Sequence, residues 1–207
     1  MKVLVTGGAG FIGSHTVRRL LQKKYEVVVY DNLVYGHEYA VPKEVNFVKG
    51  DLADKDLLEK TFEKNKFDAV MHFAAYAYVG ESVEKPAKYF ENNVINGINL
   101  LNVCVKYGVK RFIFSSSCAV YGTPNTLPIT ENEKKEPTSP YGETKLIIHM
   151  FTLQAKPLCP FTINAHKAFT AYTLAVSYTM HTHHTSLFFF HFKTIRSTCS
   201  KKLITIM

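Results

Sequence analysis

Tyr141 and Lys145 stand four residues apart in the stretch Ser139-Pro140-Tyr141-Gly142-Glu143-Thr144-Lys145, and a run of three serines, Ser115-Ser116-Ser117, ends 24 residues before the tyrosine. A spacing of four puts the phenol and the ammonium on one face of a helix, one turn apart. A phenol titrates at about 10 and is a weak base at neutral pH. A neighbouring ammonium stabilises the phenolate and brings proton transfer toward the working range. A serine hydroxyl beside the pair would orient a substrate oxygen while the tyrosine takes its proton. Alone, such a pair usually marks a solvated helix face, so its meaning depends on what the preceding chain builds.

The preceding chain opens with Val5-Thr6-Gly7-Gly8-Ala9-Gly10-Phe11-Ile12-Gly13. Lys2 to Thr6 reads as a buried strand, and Phe11 to Lys23 as an amphipathic helix with Ile12, Val17, Leu20 and Leu21 toward the sheet. Between them, Gly7 permits a tight turn, Gly10 lets backbone approach a pyrophosphate, and Gly13 lets the helix lie close to the strand. The helix N-terminus then aims N–H groups at the phosphates. Asp31 ends a second strand, Val27-Val28-Val29-Tyr30, where a carboxylate accepts from both ribose hydroxyls and repels a 2′-phosphate. NAD is therefore expected rather than NADP. With that cofactor, hydride would leave the carbon whose hydroxyl the tyrosine deprotonates, and the cationic nicotinamide would further favour the phenolate.

The alternation continues with a third strand over Glu44 to Lys49 and a helix over Asp54 to Asn65. A fourth strand follows over Asp68 to Ala74, then a long helix within Pro86 to Tyr107 ended by Gly108, and a fifth strand over Arg111 to Ser116. This predicts an α/β fold, a Rossmann-like doubly wound parallel sheet with helices on both faces and its ligand at the C-terminal strand ends. The 207 residues suit one such domain, assigned to residues 1–148. A strand beginning at residue 2 leaves no room for a signal or transit peptide. Cys104, Cys118, Cys159 and Cys199 show no metal-ligand spacing and point to a reducing compartment, so no metal and a cytoplasmic location are expected.

With these motifs in view, the chain resembles the extended short-chain dehydrogenase/reductase family and, within it, the UDP-glucose 4-epimerases. The resemblance covers residues 1 to about 148. It rests on the glycine turn, Tyr30-Asp31-Asn32-Leu33, Gly50-Asp51-Leu52, His72-Phe73-Ala74-Ala75, Val79-Gly80-Glu81-Ser82, Asn92-Asn93-Val94, the serine run and the tyrosine-lysine motif. It implies a cofactor site of Gly7, Gly10, Phe11, Ile12, Gly13, Asp31, Asn32, Asp51, Leu52, Phe73, Ala74, Asn92, Ser115, Tyr141 and Lys145. Asp31 and Asn32 would meet the adenosine ribose and Asp51 with Leu52 the adenine, while Phe73 and Ala74 line the cleft. Ser117 would hold the sugar O4, with Tyr141 and Lys145 as the catalytic pair. The implied activity is NAD-dependent epimerisation at C4 of a UDP-hexose through a 4-keto intermediate, in galactose metabolism, by a homodimer. Where many epimerases carry a cofactor-contacting lysine, this chain reads Tyr76-Ala77-Tyr78. Related 4,6-dehydratases would place an Asp-Glu pair at positions 118 and 119. Cys118 and Ala119 cannot serve that elimination.

From His149 onward the composition changes. Residues 149–207 contain no Asp, Glu or Gly, but ten threonines and six of the nine histidines. Folded domains need glycine for turns and acids for helix starts, so no domain is assigned here and an out-of-frame segment is expected. The six basic residues of this stretch supply most of the +8 net charge, so the basic balance does not point to nucleic acid. Met180-His181-Thr182-His183-His184 has no structural zinc spacing, and Phe188 to Phe190 is too short to span a membrane. Thr162 to Ala168 is the one stretch that could supply a sixth strand. The UDP-binding substrate domain of the resembled family is expected to be missing, which leaves a catalytically idle NAD-binding remnant as the alternative function.

Overall fold

The computed structural model describes residues 1–125, 127–154 and the backbone of a strand at 161–164. The histidine cluster and the phenylalanine run lie outside the described residues. Six parallel strands form one sheet: β1 (Lys2–Thr6), β2 (Glu26–Asp31), β3 (Asn46–Lys49), β4 (Ala69–His72), β5 (Arg111–Phe114) and β6 (Phe161–Asn164). Their order is β3-β2-β1-β4-β5-β6. The chain moves outward from β1 to β3, then returns to the other side of β1, and this reversal opens a crevice at the carboxyl ends of β1 and β4. Register aligns the strand ends: Thr6 pairs with Tyr30 on one side and His72 on the other, and His72 pairs with Phe114. The segments that follow these four residues therefore leave the sheet side by side.

Both faces are covered. Leu4, Val28, Val70 and Phe112 pack with Leu58 and Phe62 of helix α2 (Lys55–Lys64), Leu100 of α5 (Asn96–Lys106) and Ile148 of α6 (Pro140–Gln154). On the opposite face Val3, Val5, Val27, Val29 and Met71 pack with Val17 and Leu20 of α1 (Phe11–Gln22). Strands buried on both sides need apolar residues at successive positions, which explains Val27-Val28-Val29. Asp54 caps α2 by accepting from Leu57 N at 2.9 Å, and Gly108 at φ +66° ends the chain's exit from α5.

Several elements differ from expectation: β3 begins at Asn46 rather than Glu44, and β5 stops at Phe114 rather than Ser116. β4 stops at His72, where Phe73 N donating to Thr6 O (2.9 Å) makes the last rung of the ladder and the following backbone crosses above Gly7. The stretch after it contains a short helix, α3 (Val79–Glu84), too brief to show a period. The long helix is a chain of α4 (Pro86–Tyr89), one wide π turn over Phe90–Ile95, and α5. On α1, Val17 and Leu20 are buried as expected, whereas Ile12 and Leu21 are only half-buried. Strand β6 overlaps the start of the stretch considered for it, beginning one residue earlier and ending at Asn164.

Candidate functional site

The three glycines of the first turn do different things. Gly7 sits at φ +73°, its N–H donates to Tyr30 O at 2.9 Å, and a Cβ there would stand 2.5 Å from Ala74 N. A Cβ on Gly13 would collide with the carbonyl oxygen of Gly7. Both glycines are thus required by the protein's own packing. Gly10 is not: a Cβ there meets nothing nearer than Gly7 O at 3.4 Å, an ordinary contact. The space over Gly10 is left clear on the ligand side of α1, whose N-terminus no side chain caps. A phosphate lying against backbone N–H groups needs such a bare approach, so the turn fits a dinucleotide.

Beside this turn lies a cleft of about 110 Å3. Gly7, Gly10, Asp31, Asn32, Leu52, Phe73, Ala74 and Asn92 all line it. Asp31 is held from two directions, accepting from Ala9 N at 2.9 Å and Leu33 N at 2.8 Å, which ties the strand end to the glycine turn. Asn32 donates to the Asp51 carboxylate at 2.7 Å, and Tyr30 OH donates to Asp51 O at 2.9 Å. Phe11 turns away from this cleft, 67 % exposed, and lines a neighbouring cavity with Arg18 and His37. Ile12 follows it on the half-buried side of α1.

The serine-tyrosine-lysine group assembles where β5 ends. Ser117 caps the turn Cys118–Tyr121, its Oγ accepting from Ala119 N at 3.2 Å. Gly142 packs so closely on that turn that a Cβ would lie 2.6 Å from Ala119 O, and this brings the first turn of α6 against it. Tyr141 is consequently 8 % exposed, its N–H donating to Ser82 Oγ at 3.2 Å. Burial pushes the phenol above its ordinary value; a hydrogen bond with Ser117 acts in the opposite direction, and Cys118 adds to the rise. Lys145, 6 % exposed, donates from Nζ to Ser115 O at 3.1 Å and lies 5.8 Å from the Tyr141 ring centroid. Burial lowers its pKa to about 8. In the protein alone burial sets both shifts, raising the phenol and lowering the ammonium, and the expected lowering of the phenol by Lys145 does not arise.

Several residues of the site had been given no role by the sequence. His72, buried behind the lysine, accepts or donates at Nδ1 with Thr6 Oγ1 at 2.7 Å and stacks on Phe114 at 5.8 Å. Asn93 in the π turn accepts from Tyr76 N (2.8 Å) and donates to Tyr76 O (3.0 Å) and Thr144 Oγ1 (3.2 Å), joining the β4 loop to α6. Two adjacent asparagines inside an apolar helix were a legible signal, since Asn is a poor helix former. Tyr35 and Tyr76 also line the cleft. Ser116 Oγ, 2 % exposed, has no hydrogen-bond partner among the described residues. Among the described residues there is no cluster of three metal-ligating side chains, and no helix is long and apolar enough to cross a membrane.

The model of the NAD dependent epimerase/dehydratase family matches residues 3–172, extending beyond the 148 residues of the expected resemblance. UDP-glucose 4-epimerase of Streptococcus mutans is 51 % identical over 150 residues, 72 % of this chain and 45 % of that protein. A pea protein described as a bifunctional UDP-glucose 4-epimerase and UDP-xylose 4-epimerase is 47 % identical over 158 residues, 71 % of this chain and 45 % of its own length. The chain thus spans about half the length of the relatives it matches. The crystal structure of UDP-glucose 4-epimerase from Brucella ovis in complex with NAD superposes with a TM-score of 0.76 at 49 % identity, over 79 % of this chain and 50 % of that one. With a glycine turn, an acid-ended second strand and a buried tyrosine-lysine pair on one parallel sheet, the chain belongs to the NAD dependent epimerase/dehydratase family.

Proposed function

We propose that residues 1–148 hold NAD in the cleft and carry the acid-base chemistry of epimerisation at C4 of a UDP-hexose, interconverting UDP-glucose and UDP-galactose. The observation that carries this reading is the meeting of Ser117, Tyr141 and Lys145 at the end of β5, on the same carboxyl side of the sheet as the bare turn over Gly10. Gly7, Gly10, Asp31, Asn32, Leu52, Phe73, Ala74 and Asn92 would hold the cofactor, with Asp31 selecting the unphosphorylated ribose. NAD, when bound, supplies a two-electron acceptor that returns the same electrons. Ser117 would hold O4, and Tyr141 would take its proton and later give it back to the 4-keto sugar. Lys145, kept at a pKa of about 8, is charged at neutral pH and offsets the developing phenolate. Cys118 and Ala119 offer no acid-base pair for dehydration, so the ketone has only the return path.

The reading extends to galactose metabolism in the cytoplasm, and neither Cys104 nor Cys118 forms a disulfide. A homodimer fits the exposed apolar side chains Ile95, Met150 and Phe151 on neighbouring helices. Conversion of UDP-galactose to UDP-glucose by the purified chain, lost in Tyr141→Phe, tests the activity. The second reading is cofactor binding without turnover. Tight NAD binding with no turnover would select it.

A further inference from the structure

Tyr35 and Tyr76 come from different walls of the cofactor cleft, the first from the segment after β2 and the second from the segment after β4, and both line it. Their rings meet edge to face at 5.3 Å between centroids, spanning the two walls. Lys88 of α4 lies over the Tyr76 ring at 4.6 Å, and the Tyr35 hydroxyl sits beside the same ammonium and helps keep it charged. The ammonium is itself fixed, because Lys88 Nζ donates to Glu81 Oε1 at 2.7 Å while Glu81 Oε2 accepts from Tyr89 OH at 2.9 Å. Tyr89 is fully buried, also accepts from Tyr78 N at 3.1 Å, and packs its ring on Tyr76 at 5.8 Å. Asn93 pins the Tyr76 backbone at both its N–H and its carbonyl. One wall of the bridge is therefore rigid. The other, Tyr35, is 42 % exposed and also borders the neighbouring cavity, so it has room to swing.

We propose that Tyr35 and Tyr76, clamped by Lys88, form an aromatic strap across the cleft that must part for the dinucleotide to enter or leave. This rests on the proposed binding of NAD in that cleft. The strap stands at the segment where the family lysine is replaced by Tyr76-Ala77-Tyr78, and it brings a different cation, Lys88, to the same rim. Edge-to-face pairs and cation-π contacts are each modest, yet together they make the closed form dominant. A gate of this kind slows entry and exit alike, unlike a side chain that merely touches the ligand, which changes exit alone.

The test measures NADH binding to the full 207-residue chain by stopped flow, following the cofactor's own fluorescence, since the chain has no Trp. Dissociation is followed by displacement with excess NAD. Tyr35→Ala is expected to raise both the association and dissociation rates about tenfold, equivalent to about 1.4 kcal/mol of lost closure, while Kd moves less than threefold. Glu81→Gln, which frees Lys88 without touching the cleft, should raise both rates severalfold. Circular dichroism and thermal melting confirm that each variant folds. NADH binding with rates unchanged in both variants overturns the strap alone, as does faster dissociation with unchanged association. No binding of NADH or NAD by the unaltered chain overturns the proposed function, and the strap with it.

Discussion

Thr6, the last residue before the glycine turn, and His72 share a 2.7 Å hydrogen bond between the carboxyl ends of adjacent strands. Burial, aided by the Lys145 charge, lowers the His72 pKa to about 3. In the unfolded chain it titrates at about 6.5, so the unfolded state takes up a proton first as pH falls. Its contribution to stability is complete above that value and is lost between about pH 6.5 and 3, at up to about 1.4 kcal/mol per pH unit. Urea midpoints measured from pH 7 to 4 should fall less steeply in His72→Asn, which keeps a partner for Thr6; equal slopes would contradict this.

Lys145 carries the opposite kind of cost. Its folded pKa of about 8 lies below the unfolded value of about 10.4, so stability should rise as pH increases between those values. Lys145→Met removes the buried ammonium and the bond to Ser115 O, with a net gain of about 2 kcal/mol at pH 7. The variant should melt higher, lose the alkaline rise, and lose turnover. A lower melting temperature than the unaltered chain would refute the assignment.

Gly10→Ala and Gly13→Ala should separate binding from folding. The first places its methyl in ordinary contact with Gly7 O at φ −78°, a conformation that alanine adopts, and should change stability by less than about 1 kcal/mol while weakening NAD at least tenfold. The second drives a methyl into Gly7 O and should cost about 1–3 kcal/mol or more. Calorimetric titration beside thermal melts reads both. Normal NAD affinity in Gly10→Ala would remove the cofactor from that turn.

Asp31 serves the fold and the ligand together. Because its carboxylate accepts from Ala9 N and Leu33 N, Asp31→Ala should lose about 1.5–3 kcal/mol of stability as well as its preference for NAD over NADP. Asp31→Asn keeps an acceptor oxygen and should relax selectivity with a smaller loss. Fluorescence titration with NADH and NADPH measures the ratio; a preference unchanged in both variants would place selectivity elsewhere.

The sheet was legible because apolar runs such as Val27-Val28-Val29 have a local cause, burial on both faces, and because glycine spacing and the Tyr141-Lys145 interval are themselves local patterns. What stayed hidden depends on strands far apart in the chain becoming neighbours. The Thr6–His72 bond links residues 66 positions apart, and Asn93 reaches Thr144 across 51. The Tyr35–Tyr76 contact has no pattern of spacing at all. Electrostatics failed differently: the sequence places an ammonium one helical turn from a phenol, but only the packed structure reveals that burial shifts both.

The wide turn over Phe90–Ile95 makes this stretch sensitive to any change in its length. An α-helix rotates by about 100° per residue, and a π turn accommodates one extra residue without disturbing the helix on either side. Deleting one residue there would restore regular winding and swing Asn92 and Asn93 away from the cleft and from Tyr76, or else rotate all of α5 against the sheet. Exposed loops can lengthen or shorten with little consequence. Here the length of the chain itself is part of the site, so substitutions should be tolerated before any insertion or deletion is.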